Sequence, residues 1–173
     1  MGVFLAFPIL IIAAVLQAVL LPHTGLIGGG PNLIFLLVLA WALNAPIEQA
    51  FFWAVIGGVA TDLLSAAPLG TSALGLVLIV FVMNLFLGQF YELGLLLLVL
   101  MALFGTFAFE FYRMVALDAY QVLGYIPADA PFSITWGNDI ANVIAPVMIY
   151  NVISILPVYG VLRLLQRRLP RVE

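Results

Sequence analysis

The chain has 173 residues, of which 66% are hydrophobic and 8% charged, and its mean hydropathy is +1.28. So little polar surface cannot cover a water-soluble globule, so the composition excludes that class and leaves a polytopic membrane protein of one domain, residues 1–173. The net charge of −3 is diffuse and no basic patch with interleaved aromatics offers itself to nucleic acid; the absence of cysteine excludes disulfides and thiolate metal sites.

Residues 3–21 form the first predicted span, about 28 Å of helix, which matches the hydrocarbon core. No arginine or lysine precedes the run and it is long enough to cross, so a membrane helix is expected here and not a secretory signal. Gln17 is its one strongly polar side chain, and Pro8 is placed to kink it. Ala14 and Ala18 make a small-xxx-small pair that lets another helix approach, although chance produces that spacing as easily in so alanine-rich a segment. Pro22 to Gly30 reads as a loop. Its glycine triplet lacks the spacing of a phosphate-cradling motif and follows no strand. His23, the only histidine, has no carboxylate or cysteine beside it to complete a metal site.

Pro31 opens the second span at a position that proline favours, with Asn32 in the first turn. The helix expected over 31–45 is about 22 Å long, short for a crossing. Pro46 ends it, Glu48 suits the first turn of the next helix, and the third span covers 49–65. A Pro68-Leu69-Gly70 turn separates this from the fourth span, 71–90, which carries Asn84. The fifth, 93–117, holds Thr106, Glu110 and Arg113, and 118–138 is a long loop rich in proline, aspartate and aromatics. The sixth, 139–165, contains Pro146 and Pro157 and runs into Arg163, Arg167, Arg168 and Arg171. Six spans put both termini on one side, and these four arginines anchor that side in the cytoplasm by the positive-inside rule.

In this topology Gln17, Asn32, Thr61, Asp62, Thr71, Ser72, Glu110 and Arg113 fall in the outer half of an all-α bundle. Thr106, Glu110 and Arg113 share one face of the fifth helix. Asp139, Asn142, Pro146, Tyr150, Ser154 and Pro157 lie within about a third of the circumference of the sixth. Both stripes are expected to face protein, because unsatisfied polar groups in hydrocarbon cost several kcal/mol. An unpaired charge deep in a span costs about 2.5–3.5 kcal/mol, so Asp62, Glu110 and Arg113 are expected to form one structural polar network. The alternatives are hydrogen bonds to Asp62 from the Ser65–Ser72 turn, a site for a small ligand or lipid headgroup, or charges resting at the outer interface. Gly57 and Gly58 are expected at a helix–helix contact, and Pro68 and Gly70 in the turn.

Catalysis finds no support. Neither GxSxG nor HExxH occurs, and Gly70-Thr71-Ser72 resembles an intramembrane serine nucleophile only superficially, because no later histidine can act as base. An Asp62–Glu110 pair beside Arg113 would stay ionised instead of sharing a proton. No enzyme, cofactor or metal is expected.

Three segments, Pro31-Asn32-Leu33, Gly57-Gly58 with Asp62 four residues on, and Pro68-Leu69-Gly70, together resemble the core pattern of the MreD family, the rod shape-determining membrane proteins of bacteria. Length, span count and cytoplasmic termini agree with that family over the whole chain. The family often has an acid where this chain has Asn32, and the 118–138 loop looks like an elaboration with no family role. The resemblance implies a non-enzymatic subunit of the lateral wall-synthesis machinery in the cytoplasmic membrane, associated with MreC and through it with MreB, the RodA glycosyltransferase and a penicillin-binding transpeptidase. It also implies a fold similar to the substrate-binding subunits of energy-coupling-factor transporters. That likeness supplies an alternative, a vitamin-type binding subunit with an outward polar cavity, although fold analogy alone does not carry function.

Overall fold

The structure is a computed structural model that describes residues 2–19, 30–65, 67–89, 94–125 and 139–168. Those residues form helices α1 (Gly2–Val19), α2 (Leu33–Ala42), α3 (Ile47–Leu63), α4 (Thr71–Gln89), α5 (Gly94–Val122) and α6 (Ala145–Arg168). A π-helical turn, Ile140–Ile144, leads into α6. No strand occurs among the described residues, in keeping with an all-α fold. His23, the first two glycines of the triplet, Glu92, Arg171 and the 126–138 part of the long loop lie outside them.

Several helix ends differ from the sequence expectation by a few residues, and three of them have a clear local reason. Pro31 stands outside α2. Asn32 is the N-cap, and its side-chain oxygen accepts from the Phe35 N–H at 3.1 Å, as a short polar side chain does at this position. Pro46 takes the N-cap position of α3, so that helix starts at Ile47 with Glu48 in its first turn. α5 runs past 117 to Val122 and stops at Gly124, whose φ of +76° only glycine adopts without strain. There the Tyr125 N–H reaches back to the Tyr120 carbonyl at 2.9 Å, closing the helix end.

The shortest helix is the centre of the molecule. α2 touches all five of the others, and Ile34, Phe35, Leu36, Val38, Leu39 and Ala40 are all essentially inaccessible. A helix apolar on every side is a buried one. Phe35 packs on Phe109 of α5 with ring centres 5.4 Å apart, and Trp41 stacks on Trp53 of α3 at 4.2 Å. Ten residues give about 15 Å of helix, half the thickness of a bilayer core. Its amino end therefore lies level with the middle of its longer neighbours, where Asn151 of α6 and Thr106 of α5 meet it.

The outside of the bundle is as apolar as the inside. Phe4, Leu63, Leu74, Phe104 and Ile153 are each more than 60% exposed, while buried polar side chains (Asn32, Asp62, Thr71, Ser72, Thr106, Asn151) face inward. In water this surface would aggregate; in lipid it is the expected arrangement. Two helical stretches, Gly94–Val122 and Ile140–Leu165, are long and apolar enough to cross a membrane, and Phe4–Val19, Leu33–Ala42 and Thr71–Phe86 are shorter apolar helices.

Candidate functional site

The α3–α4 corner is built on two glycines and one carboxylate. Gly58 has no room for any side chain: a Cβ there would fall on the backbone of Ala73 in α4. Gly57, one position earlier and so on a different side of α3, faces α2 and α1, where a Cβ would lie 2.8 Å from Ile34 Cγ2 and 3.6 Å from Leu10 Cδ2. One glycine thus admits the α4 backbone and the other admits side chains of the central helices.

One turn further on, Asp62 is 2% exposed. Its Oδ2 accepts the Gly70 N–H at 2.8 Å, and the Ser72 N–H is shared between Oδ1 at 2.9 Å and Oδ2 at 3.2 Å. These are amide groups at the start of α4, which have no partner within their own helix, and the helix dipole there favours negative charge. Asp62 is therefore a cap supplied by the end of one helix to the beginning of the next. The turn between them is shaped to allow it. Gly70 has φ +98°, Thr71 Oγ1 donates to the Pro68 carbonyl at 2.8 Å, and Ser65 Oγ donates to the Asp62 carbonyl at 3.3 Å.

Glu110 and Arg113 pair with each other on α5, Arg113 Nη1 to Glu110 Oε2 at 3.1 Å. The guanidinium also sits 5.9 Å from the centre of the Phe109 ring. Asp62 makes no ion pair with either residue, so the expected three-charge network separates into two units at the level of direct contacts. The physical reason is that backbone donors at the start of α4 reach the Asp62 carboxylate first. Removing Asp62 and Arg113 should then be additive within about 0.5 kcal/mol, as for residues with no shared partner, whereas Glu110 and Arg113 should show coupling. A double-mutant cycle on thermal stability in detergent measures both. Coupling above that level between Asp62 and Arg113 would restore the single network.

A second polar cluster holds the buried start of α2. Asn151 Oδ1 accepts the Asn32 backbone N–H at 2.8 Å, and Asn151 Nδ2 donates to Thr106 Oγ1 at 2.9 Å. Thr106 in turn donates to the Ala102 carbonyl. Gln17 Oε1 of α1 accepts from Ile34 N–H at 3.4 Å. Four helices are tied together here, and the N–H groups at the start of α2, which have no partner within their own helix, gain side-chain acceptors. Asn151 is not among the residues that the sequence pattern singles out. The sequence pattern groups Asp139, Asn142, Pro146, Tyr150, Ser154 and Pro157 as the inward stripe, but Asn142 and Pro157 are exposed and the buried face of the π-helical turn and α6 is Ile144, Val147, Asn151, Ile155 and Leu162. An asparagine alone among Met148, Ile149, Val152 and Ile153 was the available signal. Asn151→Ala leaves the Asn32 N–H and the Thr106 hydroxyl group short of a partner and is expected to cost about 1–3 kcal/mol. A melting temperature in detergent equal to that of the wild type would contradict this.

At the other end, Arg163 lies 6.0 Å from the centre of the Tyr159 ring, and Tyr159 accepts from Asn44 Nδ2 at 3.3 Å, joining the ends of α2 and α6. α6 continues through Arg167 and Arg168. Among the described residues no three His, Cys, Asp or Glu side chains gather as a metal site would require.

The fold and these sites define a helical membrane protein whose buried polar groups join helix to helix. The chain belongs to the MreD family, since the family model for rod shape-determining protein MreD matches residues 1–169. That family is one of shape-determining membrane proteins and is not a known enzyme family. No curated protein and no solved structure matches the chain.

Proposed function

We propose that this chain is a non-enzymatic membrane scaffold of the rod-shape machinery that binds MreC and, through it, works with MreB, RodA and a penicillin-binding transpeptidase. Within an MreD-family chain, the observation that carries this reading is the state of Asp62. Its buried carboxylate is engaged by two backbone amides and holds two helices together, which suits a structural part. In this reading the protein crosses the bacterial cytoplasmic membrane six times with both termini in the cytoplasm. The parallel course of α2 and α6, joined at Asn32–Asn151 and again at Asn44–Tyr159, supports that arrangement. The vitamin-binding alternative gains no support from the cavity between α4 and α5, which is walled by apolar side chains.

Purification from native membranes followed by mass spectrometry tests the partners: wall-synthesis proteins are expected, and a paired ATPase module would overturn the reading. A reporter fused after Glu173 should be cytoplasmic and one inserted near Ala128 external. If both report the same side, the six-span topology is wrong.

A further inference from the structure

α4 and α5 pack side by side, most closely near the start of α4. Near the start of α4, Gly75 admits two α5 rings: a Cβ there would lie 2.9 Å from both Phe109 and Tyr112. Further along, toward the α4–α5 connection, a cavity of about 510 Å³ lies between Ile79, Val82 and Phe86 on one wall and Leu97, Met101, Phe104 and Ala108 on the other. No lining side chain is charged or carries an oxygen or nitrogen. Val82, Phe86 and Phe104 are each at least 40% exposed at its rim, so the slot opens sideways to the bundle surface.

From this we infer that the α4–α5 slot binds one acyl chain of a phospholipid, drawn from the leaflet on the side of the α4–α5 connection. The inference rests on the reading that the chain spans a membrane. Depth is the first argument. Leu97 to Ala108 spans about 16 Å of helix, close to half of a hydrocarbon core about 30 Å thick, and the slot is closed at that depth by Gly75 against Phe109 and Tyr112. A chain entering from one leaflet ends where the slot ends. A transmembrane helix would have to continue past the closure. Volume is the second argument: a helix about 10 Å across and 16 Å long fills roughly 1,250 Å³, more than twice the cavity, while 510 Å³ falls within the range of small-molecule sites. The lining is the third, because it offers nothing to hydrogen-bond and so selects hydrocarbon.

Native mass spectrometry of the purified, delipidated protein, titrated in detergent with palmitoyl-oleoyl phosphatidylglycerol, tests this. The wild type should retain one lipid, and Ala108→Phe, which fills the closed end, should lower the retained fraction about fivefold. Val82→Phe on the opposite wall should do the same, so the test does not depend on one variant folding. A dihexanoyl analogue, too short to reach the closed end, should not compete. Equal retention by both folded variants, competition by the short analogue, or loss of lipid whenever a single-span partner co-purifies would each overturn the inference, the last in favour of a partner helix. Failure of the membrane reading is a separate result: the protein would then stay dispersed after the detergent is removed.

Discussion

Replacing Gly58 by leucine is expected to prevent the folded protein from accumulating. A Cβ alone at this position collides with the Ala73 backbone, so even Gly58→Ala forces α4 away from α3, and a main-chain obstacle cannot rotate aside as a side chain can. Overpacking of a core costs about 1–3 kcal/mol and occasionally more. Here it would also pull the Gly70 and Ser72 amides off Asp62, so the upper end or beyond is expected. Against a total stability of about 5–15 kcal/mol, that is a large share. Gly160 on α6 is the natural control, because a Cβ there meets nothing within 4 Å, and Gly160→Leu should stay within about 0.5 kcal/mol of the wild type. Yield and melting temperature in detergent read both. Wild-type behaviour of Gly58→Leu would show that α3 and α4 do not pack at this contact.

The next largest effect is expected at Asp62. Asp62→Ala removes the acceptor from two amide groups at once, the buried one of Ser72 and the partly buried one of Gly70. Hydrogen bonds to a charged group are each worth about 1.5–3 kcal/mol, which puts the loss at about 3 kcal/mol or more and the fall in melting temperature at about 6–12 °C. Asp62→Asn should lie between the two, because its one carbonyl oxygen can accept from Gly70 or Ser72 while its amide nitrogen cannot. Asp62→Glu is expected to resemble Ala more than Asp, since an added methylene in the space beside the turn misplaces both oxygens. An alanine variant as stable as the wild type would mean that water replaces the carboxylate.

Much of the corner was legible in the sequence because its determinants are residue types with narrow uses. Two adjacent glycines in an apolar helix, an aspartate one turn later and a Pro-Leu-Gly break can be read without coordinates, and so can a surface too apolar for water. What Asp62 binds was harder to read. Charges stand out in a chain with so few of them, so the sequence points first from Asp62 toward Arg113 and only second to hydrogen bonds from the Ser65–Ser72 turn, which are the ones formed, by the Gly70 and Ser72 backbone amides. The half-length of α2 read as a weak span for a similar reason: length is visible, enclosure is not, and the most buried helix of the molecule looks like the least secure one. Gly124 is a readable stop for α5, but the first charge after the apolar run, Asp118, lies six residues before it. Asn151 was hidden by the more conspicuous polar stripe one helical step away.

Amide exchange at Gly70 and Ser72 bears most directly on the claim that Asp62 acts on the backbone of α4 to hold the scaffold together. In the detergent-solubilised wild type both amides should be protected. In Asp62→Ala they should exchange at least about tenfold faster, the equivalent of 1.4 kcal/mol, under conditions where the amides of the buried α2 segment remain protected. Equal exchange at Gly70 and Ser72 in the two proteins would contradict the account.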